Sequence, residues 1–366
     1  MFNYGKPVTG EYFFDRCEMK STVQQFLKSG TDFMIKAPRR YGKTSLINEL
    51  LKDEKHIYID FRQVPRLSLI PEMLIDQAYD ILGIEGFFRK ASSNVLTLIK
   101  EVKLSGKINL EIVEFGADIV LGTADKRTSC EKMIDALGVI DKVGESIGKR
   151  ITIIYDEFQD IKRLECGDTD ILEVLRGTLQ HKSFIHSVFL GSTESIMTEM
   201  FENKKSPFFN YCRKMSLKPF DIKELNKELI EAFSKKKMIF EQDGILESVL
   251  NKLGGHPANT MLTMQALYFL MLEDKRVLIK KKDIDEAFER AYFEQLDLIA
   301  QYISEMKHKK HYHDVMYRTA RGEKQILTPQ SLYKVRVGLT NMGFLVQKER
   351  DCYLIADSFL EEYLKR

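Results

Sequence analysis

Ala37-Pro38-Arg39-Arg40-Tyr41-Gly42-Lys43-Thr44 is the stretch that decides how this chain folds. It fits [AG]-x4-G-K-[ST], a loop whose main-chain N–H groups and following helix N-terminus face phosphate oxygens. Gly42 permits close backbone approach. Lys43 would place its ammonium between the β- and γ-phosphates of a nucleotide, and the Thr44 hydroxyl would complete the coordination of a magnesium ion. Ala37 stands where a first glycine is commoner, so the loop rests on one glycine rather than two. The flanks supply the context the motif needs: the apolar run Phe33-Met34-Ile35 precedes it, and Ser45 to Leu51 follows as an amphipathic helix.

Before that strand, Glu18 to Leu27 has helical spacing, broken by Ser29-Gly30-Thr31-Asp32. After the loop helix, His56 to Phe61 reads as a second strand, which makes a βαβ unit and a parallel sheet. Pro71 sits where a helix can begin, and Glu72 to Leu82 carries the period on. Between Phe87 and Lys149 the pattern weakens, although Lys107 to Val113 alternates like an exposed strand, and the stretch reads as an insertion. Cys130 to Val143 is helical again.

Ile151 to Asp156 is a β-branched run of the kind buried in a central parallel strand, and it ends in the acidic pair Asp156-Glu157. Ligands of parallel α/β sheets bind at that carboxyl end. Asp156 would hold magnesium through a water and Glu157 would polarise the attacking water. Asp156 also suits a helix N-cap. A further strand ends at Gly191-Ser192-Thr193, where a hydroxyl would orient water or γ-phosphate, or simply close a turn. Arg213 reads as a charge-stabilising arginine or a surface residue. Gly254-Gly255-His256-Pro257 would present His256 towards a nucleotide, and equally suits a helix C-cap followed by a proline-initiated helix.

Strand signals disappear from Ile222, with helical periods to about Gln301. The expected units are residues 1–221, holding the sheet, a helical unit at 222–290, and 291–366. In the last, Pro329 to Met342 is helical, and Phe344 to Gln347 and Cys352 to Ile355 are strands around a tip at Lys348 to Asp351. That is a winged-helix outline, with Lys334 and Arg336 exposed towards DNA and Lys348 and Arg350 near its phosphates. Glu349, Asp351, Glu361 and Glu362 dilute the positive field, and a packing or autoinhibitory module is the other reading.

Balanced charge, 56 basic against 54 acidic residues, excludes chain-wide attraction to nucleic acid or anionic membrane, so any basic surface is local. Five scattered cysteines without a C-x-x-C pair suggest neither a disulfide framework nor a zinc site. No apolar run reaches membrane-spanning or signal-peptide length, and a cytoplasmic protein is expected.

Phe14-Asp15-Arg16-x-Glu18, the loop continued through Ser45-Leu46, Tyr155-Asp156-Glu157-Phe158-Gln159, Gly191-Ser192 and Gly254-Gly255-His256-Pro257 together resemble the archaeal-type ATPase family, of the STAND branch of AAA-like P-loop ATPases. The resemblance implies an α/β P-loop NTPase sheet flanked by helices, a helical lid and a C-terminal winged helix. It implies that Phe14, Asp15 and Arg16 border the adenine, that His256 and Pro257 close over ATP or ADP, and that Ser192 is the sensor. Pro38, Arg39, Arg40, Tyr41, Gly42, Lys43, Thr44 and Ser45 would contact the nucleotide, with magnesium at Thr44 and Asp156. Guanine specificity is disfavoured by the lack of Asn-Lys-x-Asp after the sheet. The leading expectation is a magnesium-dependent, slowly ATP-hydrolysing switch; the alternative is a DNA-binding regulator using ATP as a conformational ligand. Protein partners or self-association stay open.

Overall fold

The computed structural model describes residues 2, 4–10, 13–82, 128–349 and 351–366. The alternating stretch Lys107 to Val113, most of the expected insertion, and Arg350 lie outside the described residues.

Four largely apolar runs and one polar edge segment become the strands of one five-stranded sheet: β1 (Phe33–Lys36), β2 (Ile57–Asp60), β3 (Ile151–Asp156), β4 (Ile185–Gly191) and the polar β5 (Arg213–Ser216), in the order β2-β3-β4-β1-β5. Every pairing is parallel. The first crossover, through α2 (Lys43–Leu51), therefore carries the chain from β1 to the far edge, over the places that β4 and β3 fill later. All seven residues of β4 are buried, as a central strand requires.

Alternation along each strand divides the side chains between two faces. Phe33 and Ile35 pack with Ile154, Val188 and Leu190 beneath α1 (Cys17–Ser29) and α2. Met34, Ile153, Tyr155 and Phe189 meet α3 (Ile70–Leu82), α4 (Ser129–Ile147), α5 (Ile171–Leu179) and α6 (Glu194–Glu202) on the other face. Each such fully buried Ile or Phe contributes about 1.5–3 kcal/mol. The α4 helix begins with a capping box, Thr128 with Glu131. At the open edge of the sheet, the Gln77 amide of α3 accepts the Tyr58 N–H at 2.7 Å and donates to the Tyr58 carbonyl at 2.9 Å, occupying backbone groups that would otherwise invite another strand.

Beyond the sheet come α7 (Ile222–Lys235), the short strand β6 (Ile239–Phe240), α8 (Ile245–Lys252), α9 (Pro257–Glu273), the short strand β7 (Leu278–Ile279) and α10 (Lys281–Glu294). They are followed by α11 (Leu296–Lys307), α12 (Tyr312–Arg321), α13 (Pro329–Asn341), the antiparallel hairpin of β8 (Leu345–Glu349) and β9 (Cys352–Ile355), and α14 (Ser358–Lys365). One hydrophobic cluster runs through all of these helices, from Leu225 to Leu364. It also takes in Phe2 and Phe14 from the start of the chain. Apolar residues surround α9 instead of forming a stripe, so it is the central helix of that cluster.

Four sequence expectations are corrected. Residues 222–301 do contain strands: β6 and β7 pair in parallel, too short to show alternation. Arg213 opens β5, where its N–H donates to the Asp32 carbonyl and its side chain is exposed. Register with Phe33 puts it at the amino edge of the sheet, opposite the loop. Arg336 is not a free cation on α13, because its guanidinium lies 4.8 Å from the Tyr353 ring centre and is half-buried. Finally, Cys130 and Cys166 are joined as a disulfide across 36 residues, with Cα atoms 5.7 Å apart. Sequence spacing does not reveal that the start of α4 and the loop before α5 meet.

Candidate nucleotide site

Gly42 adopts φ 84° as the N-cap of α2, and Arg40 adopts φ 66° two residues earlier, so the loop turns back sharply at the carboxyl end of β1. A left-handed residue at this point favours glycine. The turn leads directly into the N-terminus of α2, whose first amides suit phosphate. Lys43 is buried, and its ammonium donates to the carbonyls of Ala37 at 2.9 Å and Pro38 at 3.2 Å. Burial holds its pKa below the ordinary lysine value, while the carboxylates of Glu157 and Asp156 oppose that shift.

Those carboxylates arrive from β3, two strands away. Thr44 Oγ1 donates to Asp156 Oδ2 at 2.9 Å, Tyr58 Oη donates to the same oxygen at 2.5 Å, and the Glu157 N–H donates to Oδ1 at 2.8 Å. Burial raises the Asp156 pKa against the pull of these donors. Glu157 adopts φ 49° at the strand end, which turns its side chain towards β4. There Ser192 donates to Glu157 Oε2 from Oγ at 2.5 Å and from N at 3.2 Å, and Gln159 Nε2 donates at 2.6 Å. Burial alone would raise the Glu157 pKa; Lys43, the Ser192 and Gln159 hydrogen bonds and Arg62 outweigh it and hold it below the usual value.

Lys43, Thr44, Asp156, Glu157 and Ser192 thus converge at the carboxyl edge of one sheet. Hard oxygen donors on Thr44 and Asp156, 2.9 Å apart beside a phosphate-type loop, fit magnesium. That ion takes one or two protein ligands plus phosphate and water oxygens rather than an all-protein cage, and among the described residues no cluster of three or more His, Cys, Asp or Glu forms one.

Solved structures of low sequence identity share the whole architecture. A Walker-type ATPase of Pyrococcus abyssi superposes with a TM-score of 0.70 at 18% identity, covering 100% of this chain and 99% of that one. This chain has a Walker-type ATPase fold. The ORC2 protein of Aeropyrum pernix, solved in ADPNP–ADP complexes, has a TM-score of 0.55 at 13% identity, over 96% of this chain and 92% of its own. A variant of the Thermotoga maritima RuvB protein has a TM-score of 0.50 at 10% identity, over 98% and 97% of the two chains. No family model and no curated protein matches the sequence.

Within this Walker-type fold, the segment from Phe14 to Arg16 bridges the loop and the helices beyond the sheet. Asp15 and Arg16 are both left-handed, and Phe14 stacks on Phe2 within the second hydrophobic cluster. The Arg16 guanidinium donates to the Lys218 carbonyl at 2.5 Å and the Tyr41 carbonyl at 3.3 Å, and burial lowers its pKa to about 10. Asp15 Oδ2 accepts the Asp221 N–H at 2.9 Å. Ser45 Oγ accepts the Val8 N–H at 3.2 Å, laying the N-terminal segment over α2.

His256 and Pro257 serve as a helix start: the imidazole Nδ1 accepts the Asn259 N–H at 3.2 Å, and Pro257 takes the first turn of α9. Gly255 (φ 65°) brings its backbone so near Phe220 that a Cβ would stand 2.5 Å from the Phe220 carbonyl oxygen. The His256 ring also packs edge-on against Tyr41, 5.1 Å between centres. A cavity of about 260 Å³ opens here, walled by Pro38, Arg39, Arg40, Ser192 and His256 on one side and by the C-terminal residues Asn341 to Phe344, Ala356 and Asp357 on the other.

Arg213 stays outside this constellation. Two residues unforeseen from the sequence enter it, Tyr58 and Arg62. The Arg62 guanidinium forks onto Asp60 and lies 3.5 Å from Glu157 Oε1.

Proposed function

We propose that the chain is an ATP-binding, magnesium-dependent ATPase that works as a switch, coupling nucleotide state to the position of the lid and of a C-terminal winged helix. The observation that carries this reading is the convergence of Lys43, Thr44, Asp156 and Glu157 around one loop. A bound nucleotide would replace the Ala37 and Pro38 carbonyls as acceptors for the buried Lys43 ammonium. Amides at the start of α2 would hold phosphate oxygens, with Arg39 and Arg40 beside them. Magnesium, held through Thr44 and Asp156, supplies neutralisation of the phosphate charge.

Glu157 is the general base for the attacking water, and Ser192 orients it. Three donors and a nearby ammonium already occupy its carboxylate and lower its proton affinity. Such a base is weak, which supports slow or partner-stimulated hydrolysis. The adenine would lie against Phe14 to Arg16, with His256 and Pro257 closing from the lid.

A second reading is a DNA-binding regulator. Tyr333 and Lys334 on α13 and Lys348 on the hairpin are exposed, which favours it; the half-buried Arg336 weakens it. Salt-dependent duplex binding lost on Lys334→Ala supports that reading, and salt-insensitive or absent binding ends it.

The test of the first reading is a magnesium-dependent ATP turnover assay with fluorescent-nucleotide binding. Lys43→Ala should abolish binding. Glu157→Gln should keep binding and lose turnover by roughly a hundredfold or more, the worth of a general base. Turnover equal to wild type in both variants would overturn the reading.

A further inference from the structure

We propose that Tyr58 is a positioning residue of the magnesium site, its phenol fixing the carboxylate of Asp156 against Thr44. The assignment rests on the ATPase reading and extends it to a residue outside the motifs.

Tyr58 lies within β2, and the parallel register with β3 sets Tyr58 beside Ile154 and Asp60 beside Asp156. Side chains of Tyr58 and Asp156 are therefore diagonal neighbours on one sheet face, a separation of about 7–8 Å that long aromatic side chains cross. Here the phenol crosses it: its oxygen is 2.5 Å from Asp156 Oδ2. That is the oxygen Thr44 also contacts, while Oδ1 takes the Glu157 N–H. With donors on both oxygens, the plane of the carboxylate is defined.

Without the phenol, Oδ2 would keep only the hydroxyl of Thr44, a side chain free to follow the loop when nucleotide binds. A carboxylate that holds a metal-bound water needs an anchor that stays with the sheet, and β2 supplies one. Its backbone at Tyr58 is locked in both directions by the Gln77 amide, so the phenol cannot slide along the open edge. Hydrogen-bond partners of this outer kind orient metal-holding side chains, and their loss costs about 10–100-fold in metal affinity.

Tyr58→Phe tests the assignment because the ring and its packing remain. Manganese, read by the loss of its free electron-paramagnetic signal, is titrated into the full-length protein saturated with ADP. The variant should bind manganese about tenfold more weakly or worse, with ADP affinity in the absence of metal and the melting midpoint both unchanged. Manganese affinity within about twofold of wild type would overturn the assignment. So would an equal loss of metal-free ADP affinity, since that would mark general damage to the loop. Asp156→Asn is the reference. If wild type binds no ADP, or Asp156→Asn binds manganese as wild type does, the ATPase reading itself falls. If both controls behave and Tyr58→Phe alone is silent, only the role of Tyr58 falls.

Discussion

The guanidinium of Arg62 lies beside the proposed base, and its energetic reach can be bounded. Its side chain is 50% exposed, that of Glu157 is 7% exposed, and the two are 3.5 Å apart; with solvent screening the arginine end, such a pair contributes about 1 kcal/mol. If Arg62 acts only by steadying Glu157, Arg62→Ala lowers kcat by no more than about fivefold and leaves KM unchanged. We expect that result in steady-state turnover, with Arg213→Ala indistinguishable from wild type. A loss above a hundredfold would exceed what the ion pair can supply, and would mean that Arg62 neutralises the transferring phosphoryl group instead. Sequence reading finds Lys43, Thr44, Asp156, Glu157 and Ser192 because each sits in a local pattern of strand, turn and helix. It misses Tyr58 and Arg62 because the site carboxylates they meet, Asp156 and Glu157, come from the end of another strand; Tyr58 and Asp156 are 98 residues apart. Only the pairing of β2 with β3 joins them, and local periodicity does not encode a pairing.

Helix α9 is held at its start by an imidazole, which makes it sensitive to protons. His256 Nδ1 must be unprotonated to accept the Asn259 N–H, and a positive charge there would oppose the helix dipole. Burial keeps the His256 pKa below its ordinary value, with Arg40 pushing the same way and Asp357 opposing. A base with a lowered folded pKa takes its proton more readily when unfolded, so its contribution is complete above the unfolded value near 6.5 and declines as pH falls through it. Buried His186 on β4 shifts in the same direction. The melting temperature should therefore drop between about pH 7.5 and about pH 5.5. His256→Asn, which keeps a capping side chain without a titrating ring, should flatten part of that drop, leaving the His186 share. An unflattened profile in a calorimetric melt would place the acid sensitivity elsewhere. Among elements, strands with continuous apolar runs are legible in the sequence, as in Ile151 to Asp156. Strand β5, Arg-Lys-Met-Ser, is not: as an edge strand with mostly exposed side chains it carries no hydrophobic pattern.

In the whole molecule, a second core that begins at Phe2 and ends at Leu364 sits over the loop of the sheet unit. Tyr41 Oη donates to the Ala356 carbonyl at 3.3 Å, Arg40 donates to Gln295 Oε1 at 2.9 Å, and α13 packs on α6. Asn259 donates to Asp357 at 2.8 Å and to Ser358 at 3.0 Å, tying the C-terminal helix to the start of α9. The cavity left beside the loop, about 260 Å³, is below the roughly 300–1,000 Å³ of small-molecule sites. If nucleotide reaches the loop through this cavity, it pushes back the wall formed by Asn341 to Phe344 and Asp357. The hydrogen bonds at Tyr41 and Gln295 are among those that resist that motion, as are those from Asn259 to Asp357 and Ser358, each worth about 1 kcal/mol net. Tyr41→Phe removes one bond and Gln295→Ala two, those from Arg40 and from Tyr4, while leaving Lys43 and Asp156 in place. Either should raise the association rate of a fluorescent ADP analogue by up to about fivefold in stopped-flow mixing, because the open population grows by that factor. The double variant should gain the product of the two if the bonds break together. Rates equal to wild type in all three variants would mean that nucleotide enters by another side of the loop and that the C-terminal unit does not gate it.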